Sequence, residues 1–324
     1  TKNNASKHQN TVKSIGDDAA VIGTDDEAMV ISTDMLVEGI HFDLMYTPLK
    51  HLGYKSVVVN LSDIYAMNAV PTHITVSVAI SSKYSLEAMQ EFYDGIYTAC
   101  KMYNIDLVGG DTTSSPKGMI ISITAVGQAK KDKIVYRSGA KKGDILCVTG
   151  DLGAAYLGLQ ILEREKQVYL AHPGVQPELD KSQYLIERQL KPEAQRGAIE
   201  YFKREKIVPT SMIDVSDGLA SELLHICNQS DVGAFIEEGK VPIHPDSELA
   251  ALEFKLDPIT CALHGGEDYE LLFTADPVHY EKLSAIEGIH VIGYITDTAN
   301  QPVLVARNGV EVALKAQGWN HFNK

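Results

Sequence analysis

Residues 52–80, LGYKSVVVNLSDIYAMNAVPTHITVSVAI, set the fold class. Up to Ala69 the apolar residues recur at three- and four-residue spacing, the period of a helix. From His73 the run HITVSVAI has the β-branched character of a strand. On either side, AMVISTD from Ala28 and MIISITAVGQA from Met119 read as strands, and LEAMQEFYDGIYTACKMYN from Leu86 as a helix. The first half is therefore mixed α/β. Beyond it, SGAKKGDILCVTGDLGAAYLGLQIL from Ser138 runs from a polar turn through a strand into a helix after Gly153, and a second domain starts here. The prolines and glycine of HPGVQP break the next stretch into a loop. SMIDVSDGLASELLHICNQS from Ser211 then repeats strand, acidic turn and helix, and in HGGEDYELLFTAD from His264 a Gly-Gly turn feeds a strand. Alternation of this kind predicts α/β layers in two domains, residues 1–139 and 140–324, as a chain of 324 residues exceeds the usual size of a single core.

A formal net charge of -14, with Lys and Arg dispersed, argues against nucleic acid or an anionic membrane as partner. Such a protein can still bind phosphates through divalent cations and backbone N–H groups. Cys100, Cys147, Cys227 and Cys261 lie far apart with no C-x-x-C pair, so neither a zinc site nor a disulfide framework is indicated and a reducing cytosol fits best. No apolar run is long enough to span a bilayer, and the opening TKNNASKHQN is polar and unlike a signal peptide.

Aspartates carry the chemistry. Asp17 and Asp18 in SIGDDAAV, Asp34 in STDM, Asp63 in NLSDIYAM, Asp111 in GGDTT, and Asp214 and Asp217 in DVSDGL are read at the ends of apolar segments, where α/β proteins tend to hold ligands. Any one Asp beside a Gly is more often a turn or cap residue than a ligand. Asp63 carries the most weight, since it interrupts an apolar helix pattern and needs a partner if buried. Gathered carboxylates repel one another unless cations neutralise them, and hard oxygen donors without a Cys or His cluster point to magnesium and phosphate chemistry. Gly109-Gly110, Gly150 with Gly153, and Gly265-Gly266 are read as turns that let backbone approach a ligand. Neither G-x-x-x-x-G-K-[ST] nor G-x-G-x-x-G is present. Arg137, with Lys141 and Lys142, stands in a polar turn where it pairs with phosphate or simply faces solvent; His41 and Trp319 read more readily as packing residues than as ligand contacts.

In order, SIGDDAAV, STDMLVEGIHF, NLSDIYAMNAVP, GGDTT, RSGAKKGD, VTGDLGAAYLGL, DVSDGL and GGEDYELL resemble the motifs of the thiamine-monophosphate kinase family, from about Ser14 to Phe322. The resemblance implies the two-domain fold shared with aminoimidazole ribonucleotide synthetase. In that fold the N-terminal mixed sheet pairs with its twin across a homodimer, and a C-terminal α/β domain closes over the site. It implies ATP as co-substrate, several magnesium ions, and direct transfer of the γ-phosphoryl group to thiamine monophosphate in the cytoplasm. Carried over by position, Asp18, Ser32, Thr33, Asp34, Asp63, Asp111, Asp214 and Asp217 become magnesium ligands, with Asp63, Asp111 and Asp217 the catalytic ones among them. Gly110, Asp111, Arg137 and Ser216 would contact ATP, and His41, Glu267 and Trp319 would face thiamine monophosphate.

Three features depart from the family pattern. Ser14 and Asn68 stand where it has glycine, and Asn68 can keep a left-handed turn. The pattern also has a helix ahead of the GDD segment that this sequence starts too late to include. Two rival readings stay open on the residues: another ATP-dependent synthesis, of selenophosphate or aminoimidazole ribonucleotide, and a non-catalytic cation- or nucleotide-binding protein. The absence of a Cys in the first thirty residues weighs against selenium chemistry, and GGEDYELL with the terminal GWNHF weighs against the ribonucleotide.

Overall fold

The computed structural model describes residues 7–24, 26–297 and 301–315. The chain forms two compact units, Thr1–Ile134 with Leu190–Ile199, and Val135–Gln189 with Glu200–Lys324. Among the described residues no helix is long and apolar enough to cross a membrane, and all four cysteines are free and buried.

The first unit runs β1 (Thr11–Lys13), β2 (Ala20–Thr24), β3 (Glu27–Val37), α1 (Leu49–Ala66), β4 (Val70–Ile80), α2 (Leu86–Tyr103), β5 (Asp106–Ser114) and β6 (Ile120–Lys130). Its six strands form one sheet in the order β1-β2-β3-β6-β4-β5, antiparallel except for β4 with β5. That parallel pair requires a crossover, which α2 supplies. Helix α1 is buried from Leu52 almost continuously to Ala66, as a helix apolar all round must be, between α2 on one side and β3, β4 and β6 on the other. Two glycines set the helix spacing: a Cβ on Gly53 would lie 2.0 Å from the Phe92 carbonyl oxygen, and one on Gly95 would lie 2.0 Å from that of Lys50. Helix α2 starts at Ser85, whose hydroxyl accepts from the Ala88 N–H, and stops at left-handed Asn104. Asn68 is also left-handed, φ 55°, and its amide donates to the Lys133 carbonyl at 2.8 Å, so the turn expected there survives the loss of glycine. Glu193 accepts from the hydroxyls of Tyr54 and Tyr103, each at 2.7 Å, and so ties the 190–199 stretch to α1 and α2.

Two sequence expectations fail in this unit. Gly109-Gly110 is not a turn: it lies within β5, where Gly110 stands opposite Val76 and a Cβ would meet the Val76 carbonyl oxygen at 1.8 Å. The glycine serves the close β4–β5 approach. Asp111 is therefore inside a strand, opposite Ser77, and Asp34 is likewise inside β3, opposite Ile123; neither ends a strand.

In chain order the remaining elements are β7 (Ile145–Thr149), α3 (Ala154–Ala171), α4 (Gln183–Leu190), α5 (Arg196–Glu205), β8 (Ser211–Asp214), α6 (Leu219–Ser230), β9 (Gly233–Glu237), α7 (Pro245–Glu253), α8 (Pro258–His264), β10 (Leu271–Ala275), α9 (Tyr280–Ser284), β11 (Ile289–Thr296), β12 (Val303–Val305) and β13 (Glu311–Ala313). The second unit's strands form a seven-stranded sheet, β13-β12-β9-β11-β7-β10-β8, antiparallel except for β9 with β12. Its core joins Leu146, Val148 and Leu272 of the central strands to Leu219, Leu223 and Ile226 of α6, all fully buried. A second cluster, including Leu157 and Ile161 of α3 with Leu185 of α4, lies outside it.

Candidate active site

In the first unit β3 and α1 bring the predicted residues together. Side chains alternate along a strand, so Ser32 and Asp34 share one face of β3 and Thr33 takes the other. Asn60 and Asp63 lie three apart on α1 and so on one side of it. Asn60 accepts from the Asp34 N–H at 2.9 Å and donates to the Ser56 carbonyl at 3.0 Å. The Ser32 hydroxyl donates to Asp63. Asp18, 7% exposed in the loop before β2, and Asp63 offer carboxylate oxygens within 4.8 Å of each other. Burial raises the Asp34 carboxyl above its ordinary pKa, against the opposing pull of His41.

Other residues of this unit have different surroundings. The Thr33 hydroxyl donates to the Ile123 carbonyl at 3.0 Å and meets Thr124 at 3.1 Å, apart from Ser32 and Asp34. His41 Nδ1 accepts from the Val37 N–H at 3.0 Å, which closes the turn after β3. Gly110 and Asp111 are exposed on edge strand β5. Asp17, more conspicuous in the sequence than Asp18, is held by Lys13 at 3.0 Å.

In the second unit the DVSDGL loop joins β8 to α6. Asp214 ends β8 and is 3% exposed. Gly218, φ 105°, lets the chain turn into α6; a Cβ there would lie 2.7 Å from the Leu263 carbonyl oxygen. Gly266, φ 73°, comes equally close to Ser216, a Cβ being 2.6 Å from its carbonyl oxygen. These approaches lay the HGGED segment along DVSDGL: the Glu267 N–H donates to the Ser216 carbonyl at 2.7 Å and the Tyr269 N–H to Val215 at 2.9 Å.

The sequence pattern did not single out Glu222. Buried on the first turn of α6, it accepts from the Asp217 N–H at 3.0 Å. Burial, then the negative charge of Asp214, pushes its carboxyl well above the ordinary range; Asp217 adds to this, and Arg137 and the Asp217 N–H oppose it. Arg137 also helps burial lower the pKa of His225, so Arg137 lies within electrostatic reach of Glu222 and His225. A carboxylate five residues beyond Asp217 in an otherwise apolar helix start was the available signal.

Behind Glu267 lies a buried ionic group that the sequence motifs did not reveal either. Asp268 accepts from the N–H groups of Gly153 at 2.7 Å and Ala155 at 3.2 Å, at the start of α3. Glu270 accepts from Thr149 at 2.6 Å and from Arg188 at 2.8 Å, and Arg188 also donates to the carbonyls of Asp151 and Asp268. Burial pushes Asp268 up to about 7, with Arg188 and the two N–H groups opposing, and raises Glu270 too. One guanidinium faces two fully buried carboxylates, and burial shifts both toward the protonated form while Arg188 opposes it. The alternation of acids in GGEDYELL, just before an apolar strand, was the sign that a buried cation must stand opposite.

Trp319 lies outside the described residues. Oxygen donors alone, several of them carboxylates at short range, fit a hard divalent cation such as magnesium.

Residues 16–129 match the family model described as AIR synthase related protein, N-terminal domain. Thiamine-monophosphate kinase of Bacillus subtilis (strain 168) is 33% identical over 324 residues, covering 97% of this chain and 95% of that protein. The chain belongs to the thiamine-monophosphate kinase family. A further thiamine-monophosphate kinase, of Escherichia coli (strain K12), is 34% identical over 317 residues, with 95% and 91% of the two chains covered. Among solved structures, AaThiL complexed with AMPPCP and TMP matches with a TM-score of 0.81 at 29% identity, over 95% of this chain and 92% of that one.

Proposed function

We propose that this chain transfers the γ-phosphoryl group of ATP directly to the phosphate of thiamine monophosphate, yielding thiamine diphosphate and ADP. Likeness over nearly the whole chain to kinases of that name, and to a structure holding AMPPCP and TMP, supports the two substrates. The observation that carries the chemistry is the Asp18–Asp63 pair, with oxygens within 4.8 Å and Ser32 bonded to Asp63. Two such carboxylates are mutually repulsive in the absence of a cation.

Asp18, Ser32, Thr33, Asp34, Asp63, Asp111, Asp214 and Asp217 are our assignment for the magnesium ligands. The Thr33 side chain takes the opposite face of β3 from Ser32 and Asp34, so the part assigned to Thr33 falls to its backbone atoms. These residues would hold magnesium, which would supply charge neutralisation for the facing donor and acceptor phosphates. Gly110, Asp111, Arg137 and Ser216 are assigned to ATP, where the Arg137 guanidinium pairs with phosphate. His41 and Glu267, with Trp319 from outside the described residues, are assigned to thiamine monophosphate. Its phosphate is already ionised, so the site needs positioning and charge neutralisation more than a general base.

The reaction is assigned to the cytoplasm and to a homodimer. The face of the first unit's sheet that carries Met29, Met35 and Val70 supports the dimer, because these apolar side chains are each about half exposed. Incubation with ATP, magnesium and thiamine monophosphate, followed by chromatographic detection of thiamine diphosphate, tests the assignment. ADP and free phosphate without thiamine diphosphate would refute the acceptor.

A further inference from the structure

Gln189 and Arg188 are neighbours on α4, yet they serve opposite partners. Arg188 turns its charge into the core, to Glu270 and to the carbonyls of Asp151 and Asp268. Gln189, 4% exposed, donates its amide N–H to Glu267 Oε2 at 2.7 Å. The backbone that carries Glu267 is set with unusual firmness. Glu267 and Tyr269 both adopt positive φ, 60° and 53°, a conformation that is strained for a non-glycine residue and persists only when its surroundings over-determine it. Here the surroundings do. Asp268 is bonded to the start of α3, Arg188 grips the Asp268 carbonyl, and the flanking N–H groups donate to Ser216 and Val215.

We infer that Gln189 is a positioning residue for thiamine monophosphate, acting by fixing the rotamer of the Glu267 carboxylate. This rests on the assignment of Glu267 to that substrate. Thiamine monophosphate carries a cationic thiazolium ring and an aminopyrimidine with N–H donors, and a carboxylate attracts both. A neutral amide suits this role because it orients the carboxylate by one hydrogen bond and leaves its negative charge intact, whereas Lys or Arg at the same place would quench it. The arginine beside it is directed to Glu270 instead, which keeps its cation away from the substrate-facing carboxylate. With the main chain held at positive φ, the Gln189 bond restrains the side-chain torsions of Glu267 before substrate arrives.

The test is steady-state kinetics on Gln189→Met, which keeps the volume and deletes the donor. A hydrogen bond to a charged group of this kind predicts that KM for thiamine monophosphate rises about tenfold, while KM for ATP stays within about twofold and the melting temperature is little changed. Gln189→Glu adds a signature that a packing role would not show. Relative to the wild type at the same pH, its thiamine monophosphate KM is raised at about pH 8 and recovers toward about pH 5, where a proton on the introduced carboxyl restores a donor. Combined with Glu267→Ala, Gln189→Met adds no further loss. Equal effects on both substrates, or an unchanged thiamine monophosphate KM in Gln189→Met when Glu267→Ala raises it, would overturn the inference alone. An unchanged KM in Glu267→Ala would overturn the assignment of Glu267 and the inference with it.

Discussion

Asp63→Asn separates the metal-site reading from a structural one, because it should stabilise the metal-free protein and disable the enzyme at once. Asp18 and Asp63 bring oxygens within 4.8 Å of each other. At an effective dielectric constant of about 20, two unit charges at that distance repel by about 3 kcal/mol. Solvent reaches Asp63, which is half-buried, so screening reduces the relief from removing its charge to about 1–2 kcal/mol, or a rise of roughly 1.5–3 °C in the midpoint of thermal unfolding of a chain of this length. The substitution keeps the volume, and the introduced amide can still pair with Ser32. Scanning calorimetry in chelator should therefore place the variant above the wild type. Magnesium should raise the wild-type midpoint more than that of the variant, and turnover should fall by at least about 100-fold. A variant that melts below the wild type in chelator, or turns over within about tenfold of it, would refute the reasoning that makes Asp63 a ligand rather than a packing group.

Two further outcomes follow from the geometry. Gly53→Ala puts a Cβ 2.0 Å from the Phe92 carbonyl oxygen, so α1 and α2 must separate, and denaturant titration should show a loss of about 2–3 kcal/mol; a loss under about 0.5 kcal/mol would mean the helices yield freely. Asp268, pushed by burial to about 7 from 3.8, favours the protonated form in the folded state. Its contribution to stability is full below pH 3.8 and is lost as pH rises through about 7. Between about pH 5 and about pH 8 the wild type should thus lose up to about 3 kcal/mol relative to Asp268→Asn, roughly two pH units at about 1.36 kcal/mol each, and a gap independent of pH would contradict this.

Much of the fold was legible because its periods are clean. The helix read over residues 52–69 and the strand read from His73 are found as α1, Leu49–Ala66, and β4, Val70–Ile80, with only their ends displaced, and Asp63 stood out as a carboxylate inside an apolar helix. Asp34 and Asp111 were legible as site candidates but misplaced at strand ends, since β3 and β5 continue through polar residues that short-range pattern reads as loop. Gly109-Gly110 misled for the same reason: a glycine demanded by a neighbouring strand, as Gly110 is by Val76, looks in sequence like one demanded by a turn. Glu222, Arg188, Gln189 and Glu270 were not legible as a set. Their partners are brought together by tertiary packing, Arg188 and Glu270 across 82 positions of chain (270 − 188), and no local pattern records such pairings.

Phosphate-to-phosphate transfer without a covalent enzyme intermediate is the core of the proposed chemistry, and ATP radiolabelled in its γ-phosphate probes it without an intervening assumption. In a single turnover with magnesium and thiamine monophosphate, label should appear in the terminal phosphate of thiamine diphosphate and none on protein recovered by acid quench. Label retained on the protein, or released as inorganic phosphate in place of thiamine diphosphate, would contradict direct transfer.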